Sequence, residues 1–231
     1  MKKIGLLASV LLFSSSVAFA TPLNDFSAGK LALDVSVNLD SKMEFDDYYK
    51  GENNLDYGLT VGLGKKFAFQ YKNNGSPQSR DLYRYSASGV LEGIESFKLR
   101  SQEFNLLYKI NNSLTVFTGV NQAKLRFNIT PQYGYVSTVS SFENNKSNIQ
   151  IGITQLTPIN KKLINYSTVA IGKDFNYFIL GLGYAIDKNL DLNVFYSQYK
   201  YGNFPVNTTN LGNIGVNAIT KGLGLGITYK F

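Results

Sequence analysis

From Leu31 to the carboxyl-terminal Phe231 the chain repeatedly sets large apolar side chains at every second position, with small or polar residues between them. A period of two belongs to a strand whose two faces meet unlike surroundings. It is clearest at the end, where Leu223, Leu225, Ile227, Tyr229 and Phe231 alternate with Gly222, Gly224, Gly226, Thr228 and Lys230. A soluble protein seldom finishes on an unblunted strand with such an apolar row, because the open edge templates aggregation. A closed barrel in lipid needs one, since every backbone group in hydrocarbon must be paired and one face must be apolar.

The amino terminus carries Lys2 and Lys3, then an apolar stretch to Phe13 too short to span a bilayer, and closes on Val17-Ala18-Phe19-Ala20. This pattern predicts an export signal over residues 1–20, cleaved to leave a single domain over 21–231. No apolar run of about 18 residues follows that would make a spanning helix. With its signal, its strand rhythm and its final Phe231, the chain resembles the small bacterial outer-membrane β-barrel superfamily. The resemblance implies residence in the bacterial outer membrane, with both termini periplasmic and the long loops extracellular. It also implies that Tyr229 and Phe231 are an assembly signal read by the barrel-assembly machinery.

The rows predict an all-β fold, a transmembrane antiparallel up-and-down β-barrel of about ten strands. Eight is the alternative, obtained if the segments near Ile149–Ile153 and Leu163–Ile171 are loop. All five prolines fall outside the expected strands, as the missing N–H requires. Two rows change parity. Phe97 and Leu99 are odd whereas Phe104, Leu106 and Tyr108 are even, and Leu114 to Val120 are even whereas Leu125 and Phe127 are odd. A bulge near Ser101-Gln102 would reconcile the first pair of rows.

The chain has no histidine and no cysteine. The first absence removes the natural proton carrier near neutral pH, and the second removes disulfides and thiolate metal sites. A serine or water nucleophile is left without its usual activator, so no catalytic residue, metal or cofactor is expected. The net charge is +7, and loss of Lys2 and Lys3 with the signal leaves +5. These charges are scattered along an exported chain, which argues against nucleic acid and for outer-membrane lipid and lipopolysaccharide phosphates.

Three constellations remain. With Phe97, Leu99, Leu125 and Phe127 outward, Lys98, Arg100, Lys124 and Arg126 would face the lumen as an anion-preferring constriction, or else form a basic rim. Phe195 and Tyr199 would point inward between glycine rows and fill part of the interior. Tyr48, Tyr49, Arg80, Tyr83, Arg84 and Tyr85 sit in expected loops, where Tyr and Arg suit contact with a surface ligand. The function expected is a non-enzymatic, porin-like narrow channel for small solutes or ions; the alternative is an adhesin or envelope-stabilising barrel acting through its extracellular loops. Deleting Phe231 is expected to impair assembly, seen as loss of the fast-migrating unboiled band on a denaturing gel. An unchanged band would count against the terminal strand as an assembly signal.

Overall fold

The computed structural model describes residues 25–39, 42–44, 48–75, 82–85, 91–131, 140–208 and 212–231. The expected signal segment lies outside the described residues. The strands are β1 (Leu31–Asn38), β2 (Lys42–Glu44), β3 (Tyr48–Lys50), β4 (Asn54–Gly64), β5 (Phe67–Asn74) and β6 (Leu82–Tyr85). They continue as β7 (Leu91–Asn111), β8 (Leu114–Pro131), β9 (Ser140–Pro158), β10 (Leu163–Gly172), β11 (Phe175–Ala185), β12 (Leu190–Thr208) and β13 (Gly212–Lys230).

Ten of these form the wall, each antiparallel to its neighbours in the order β1-β4-β5-β7-β8-β9-β10-β11-β12-β13. The wall closes where β13 pairs with β1, from Ala32↔Lys230 to Asn38↔Gly224. The segments over Ile149–Ile153 and Leu163–Ile171 are both wall strands, β9 and β10, which decides for ten over eight. Short turns join β4–β5, β7–β8, β9–β10 and β11–β12 at the end of the barrel where β1 begins and β13 finishes. We call this the turn end and the opposite one the loop end. At the loop end the β2–β3 hairpin extends the wall beside β13, and β6 extends it beside β7. Residues 128–131, 140–147, 202–208 and 212–217 are strand, because β8, β9, β12 and β13 run on as hairpins past the apolar band.

That band is the outer face. Leu33, Val35, Phe67, Phe69, Phe104, Leu106, Ile149, Ile151, Leu180, Leu182, Leu192, Val194 and Leu223 to Ile227 on alternate positions are all solvent-exposed. A contiguous apolar surface of this extent belongs against lipid. Rings cluster along it, with Tyr71 and Phe104 at 5.2 Å and Tyr229 against Phe231 at 4.7 Å between centroids.

The interior is filled, because ten strands enclose little more than side-chain room. Three rings lie flat on inward glycines of adjacent strands. A Cβ on Gly152 would meet Phe117 at 2.1 Å, one on Gly181 would meet Tyr166 at 2.2 Å, and one on Gly224 would meet Phe195 at 2.3 Å. Strand β10 is the least regular row in the sequence for the same reason. It sends Ile164, Tyr166 and Ala170 inward to pack, leaving Asn165 and Ser167 on the outer side. Replacing Gly224 with Leu is expected to destabilise the barrel by about 1–3 kcal/mol by displacing Phe195. Reversible urea unfolding in micelles measures it, and a wild-type midpoint would show that the ring has room to move.

Candidate functional sites in the lumen and on the outer wall

Strands β7 and β8 decide the facing of the basic cluster. Their pairing runs in one register from Gly93↔Pro131 to Lys109↔Thr115, and the only irregularity lies at the turn between Lys109 and Asn111. The expected bulge near Ser101-Gln102 is therefore absent, and the facing alternates without a break. Leu99 and Leu125 are buried inside, 2% and 4% exposed, and the rings of Phe97 and Phe127 meet at a tilt with centroids 4.5 Å apart. Lys98, Arg100, Lys124 and Arg126 consequently stand on the outer wall, not in the lumen. The parity shift has a different cause from a slipped strand: toward the loop end the wall changes sides, apolar inside and polar outside.

On that wall the cations sit directly opposite one another, Lys98↔Arg126 and Arg100↔Lys124. Glu143 on β9 takes Lys124 at 2.5 Å and Arg126 at 2.8 Å. Lys98, Arg100 and Lys124 line a groove of about 900 Å³ with Gln102, Gln122 and Asn145, bordered by Tyr57 and Asn73. The apolar band begins immediately below, with Phe104, Val120 and Ile149. The cations thus form a positive rim directly above the hydrocarbon-facing side chains.

Inside, the polar residues form a network rather than an open path. Glu103 accepts from Asn74 at 2.6 Å and from Gln150 at 3.0 Å, and Gln150 also donates to Asn105 at 2.7 Å. Asn121 donates to Ser101 at 2.7 Å, and Gln70 to Thr60 at 3.2 Å. Toward the loop end an aromatic stack closes over this layer, with Phe175 to Tyr201 at 4.9 Å and Tyr177 to Tyr199 at 4.9 Å. Leu99, Leu125 and Phe204 pack against it. Both expected lumen aromatics face inward: Phe195 covers Gly224, and Tyr199 joins the stack.

A clasp that the sequence rows do not reveal lies above the stack. Because the β10–β11 hairpin stops at Gly172–Phe175, β9 and β12 run past it and meet. Lys146 of β9 pairs with Asp174 at 2.9 Å and donates to the carbonyls of Gly202 and Asn203 at 2.7 and 3.0 Å. Asn203 breaks the β12 register with a left-handed backbone, φ 54°, and donates from its amide nitrogen to Asp174 at 2.8 Å. The hydrogen bonds from Lys146 and Asn203 hold the Asp174 carboxyl below the usual carboxylate range. Lys146 shares the inward parity of Asn148 and Gln150, so its facing was legible; its partners were not.

Toward the turn end, a strap over Asp25–Lys30 folds in under the wall. Phe26 is 1% exposed, and its carbonyl accepts from Gly64 at 2.9 Å. A Cβ on Gly62 would strike the Ser27 carbonyl at 2.3 Å, so this approach requires glycine. Between Phe26 and Tyr199 lies a cavity of about 150 Å³. Its lining includes Asp34, Asp56 and Lys72 on the β1-β4-β5 side, and Phe117, Tyr166 and Phe195 on the other.

No family model matches the chain, and no curated protein matches it. Among solved structures, the translocator domain of the autotransporter NalP from Neisseria meningitidis aligns with a TM-score of 0.50 and 8% identity, covering 90% of each chain. The wall closure, the exposed apolar band and this alignment agree. The fold is that of the bacterial outer-membrane β-barrels. The outer membrane protease OmpT from Escherichia coli aligns at TM-score 0.49 and 12% identity, over 94% of this chain and 100% of its own. Ail, the attachment invasion locus protein of Yersinia pestis, aligns at TM-score 0.46 and 12% identity over 88% and 99%.

Two further sets of expected residues can be placed on this barrel. Tyr229 and Phe231 stand exposed at the turn end of β13, and the Phe231 amide donates to the Leu31 carbonyl at 2.9 Å, joining the last residue to the first wall strand. The backbones of Tyr48 and Tyr49 lie in β3, and those of Tyr83, Arg84 and Tyr85 in β6. Their side chains, and Arg80 altogether, lie outside the described residues.

Hydrogen bonds from Lys124 and then Arg126 hold the Glu143 carboxyl below its ordinary value. A carboxylate held low adds stability above its unfolded value, and that contribution disappears as the pH falls through the folded one. Carboxyl titration followed by nuclear magnetic resonance is expected to find Glu143 protonating at lower pH than an unperturbed glutamate. The double substitution Lys124→Gln and Arg126→Gln should return it to the ordinary range. An unshifted Glu143 in the unsubstituted protein would show that the cross-strand pairs do not persist.

Proposed function

We propose that this chain is a closed outer-membrane barrel that works at its outer wall and loop-end surface and does not conduct through its lumen. The observation that carries the reading is the filled interior: the aromatic stack from Phe175 to Phe204 above the Glu103 network, with Phe26 sealing the turn end. A narrow channel needs a continuous wet path, and stacked buried rings across the bore oppose one. In this reading the short turns and both termini face the periplasm, and the long hairpins face outward. The reading is non-catalytic, on the ground that the chain has neither histidine nor cysteine.

The partner we infer is the phosphorylated headgroup of lipopolysaccharide, held by Lys98, Arg100 and Lys124 in the groove above the band, with Arg126 beside it. Four cations on neighbouring strands supply the multivalent, hydrogen-bonding surface that phosphate favours. Strands β3 and β6, which bear Tyr48, Tyr49, Tyr83 and Tyr85, are the candidate surface for a further ligand. The barrel-assembly machinery is the partner inferred for Tyr229 and Phe231.

Refolded protein in planar bilayers is expected to give no steady current. A sustained, reproducible open conductance would reinstate the channel and sink the closed reading. Exchanging Lys98, Arg100, Lys124 and Arg126 for Gln together should remove most of the lipopolysaccharide that copurifies with the native barrel. Undiminished copurification would remove the groove as its site.

A further inference from the structure

The cavity beneath Tyr199 combines two surfaces that seldom meet in a merely packed interior. One side is apolar and aromatic, with Phe117, Tyr166, Phe195 and Ile179. The other carries two carboxylates, Asp34 and Asp56, and one ammonium, Lys72. The two acids are not equivalent. Asp56 accepts from Asn38 at one oxygen and from Asn54 at the other, both at 2.7 Å, so its two oxygens are occupied. Asp34 accepts only from Thr228, at 2.6 Å through Oδ1. Among the described residues its Oδ2 receives no hydrogen bond, and neither acid has an ion pair.

A second group points the same way. Asn193 is 8% exposed and lines the cavity; its amide nitrogen donates to Thr228 at 3.1 Å, and its carbonyl Oδ1 has no partner. Thr228 thus holds Asp34 and Asn193 side by side and leaves an acceptor on each unused. The Asn193 oxygen is buried without a donor, a loss that a ligand carrying N–H groups would recover. The volume is also informative. A cavity of about 150 Å³ is close to the size that takes up one benzene in an apolar protein interior.

We propose that this chamber is a binding site for a small aromatic monocation, a primary amine about the size of benzylamine. The ammonium group donates to Asp34 Oδ2 and Asn193 Oδ1, and the ring packs among Phe117, Tyr166 and Phe195, where aromatic faces also favour a nearby cation. Lys72 repels a second positive charge, which limits occupancy to one. The ligand enters from the turn end, past Phe26 of the strap, because the loop end is closed by the stack and the clasp. The site is independent of the groove on the outer wall.

The test uses refolded full-length mature protein in zwitterionic micelles, titrated calorimetrically with benzylamine near pH 7, with benzyl alcohol as the neutral analogue and empty micelles as the blank. Saturable one-to-one binding is expected for the amine. Asp34→Asn preserves shape and the Thr228 hydrogen bond, and should weaken binding tenfold or more. Asn193→Ala should weaken it severalfold while leaving the charge in place. Phe26→Ala should speed ligand exchange in line-shape measurements with little change in affinity. Absence of saturable binding to native barrel, equal affinity in Asp34→Asn, or equally tight benzyl alcohol would each overturn the proposal. Fast unboiled migration on a gel establishes that each variant is folded before it is titrated.

Discussion

The pairing of the first wall strand with the last is the interaction on which every other feature rests. Until β1 and β13 join, both expose rows of unpaired N–H and C=O groups, and in hydrocarbon each such group costs several kcal/mol. Joined from Ala32↔Lys230 to Asn38↔Gly224, they leave no edge within the band. Closure at ten strands then sets the interior width, and that width dictates that the lumen is packed with side chains. The glycine rows, the rings laid on them and the short polar side chains between them are different answers to that one demand.

Away from the band, the environment on the two sides of the wall reverses. At mid-depth the outer face meets lipid and the inner face carries Glu103, Asn105, Gln70 and Gln150. Toward the loop end the outer face carries Lys98, Arg100, Lys124 and Arg126, and the inner face carries Leu99, Leu125 and the aromatic stack. Strands β7 and β8 cross this boundary without a break in register. Their apolar row therefore jumps from one parity to the other although the backbone does not slip. This reversal creates both functional candidates at once: a basic groove above the band, and a sealed interior below it.

Closure at the loop end comes from unequal strand lengths. The β10–β11 hairpin is short, so β9 and β12 overreach it and are fastened through Lys146, Asp174 and the bulge at Asn203. At the turn end the strap carrying Phe26 does the corresponding work against Gly62. Between the two closures, β1 and β4 present Asp34, Ser36, Asp56 and Gly58 and β5 presents Gln70 and Lys72, while the opposite strands present rings. The cavity survives there because no large side chain of β1 or β4 reaches across: Ser36 and Gly58 leave it open.

Much of the barrel was legible in the chain because strand facing has a period of two and lipid tolerates no charged row. Outward Leu223 to Phe231 and inward Phe195 and Tyr199 follow from neighbours in sequence. The count of ten was nearly legible too, blurred at β9 and at β10, where packing sends Ile164 and Tyr166 inward. Alternation alone cannot say which of two faces is the lumen once the apolar row changes parity, since a bulge and an inverted environment give the same pattern. The facing of Lys98, Arg100, Lys124 and Arg126 was therefore decided by the unbroken β7–β8 register. Likewise the meeting of Asp34 with Asn193 through Thr228, and of Lys146 with Asp174, joins strands far apart in the chain. Sequence by itself determined that these strands must close in lipid; only closure in three dimensions determined what the enclosed space contains.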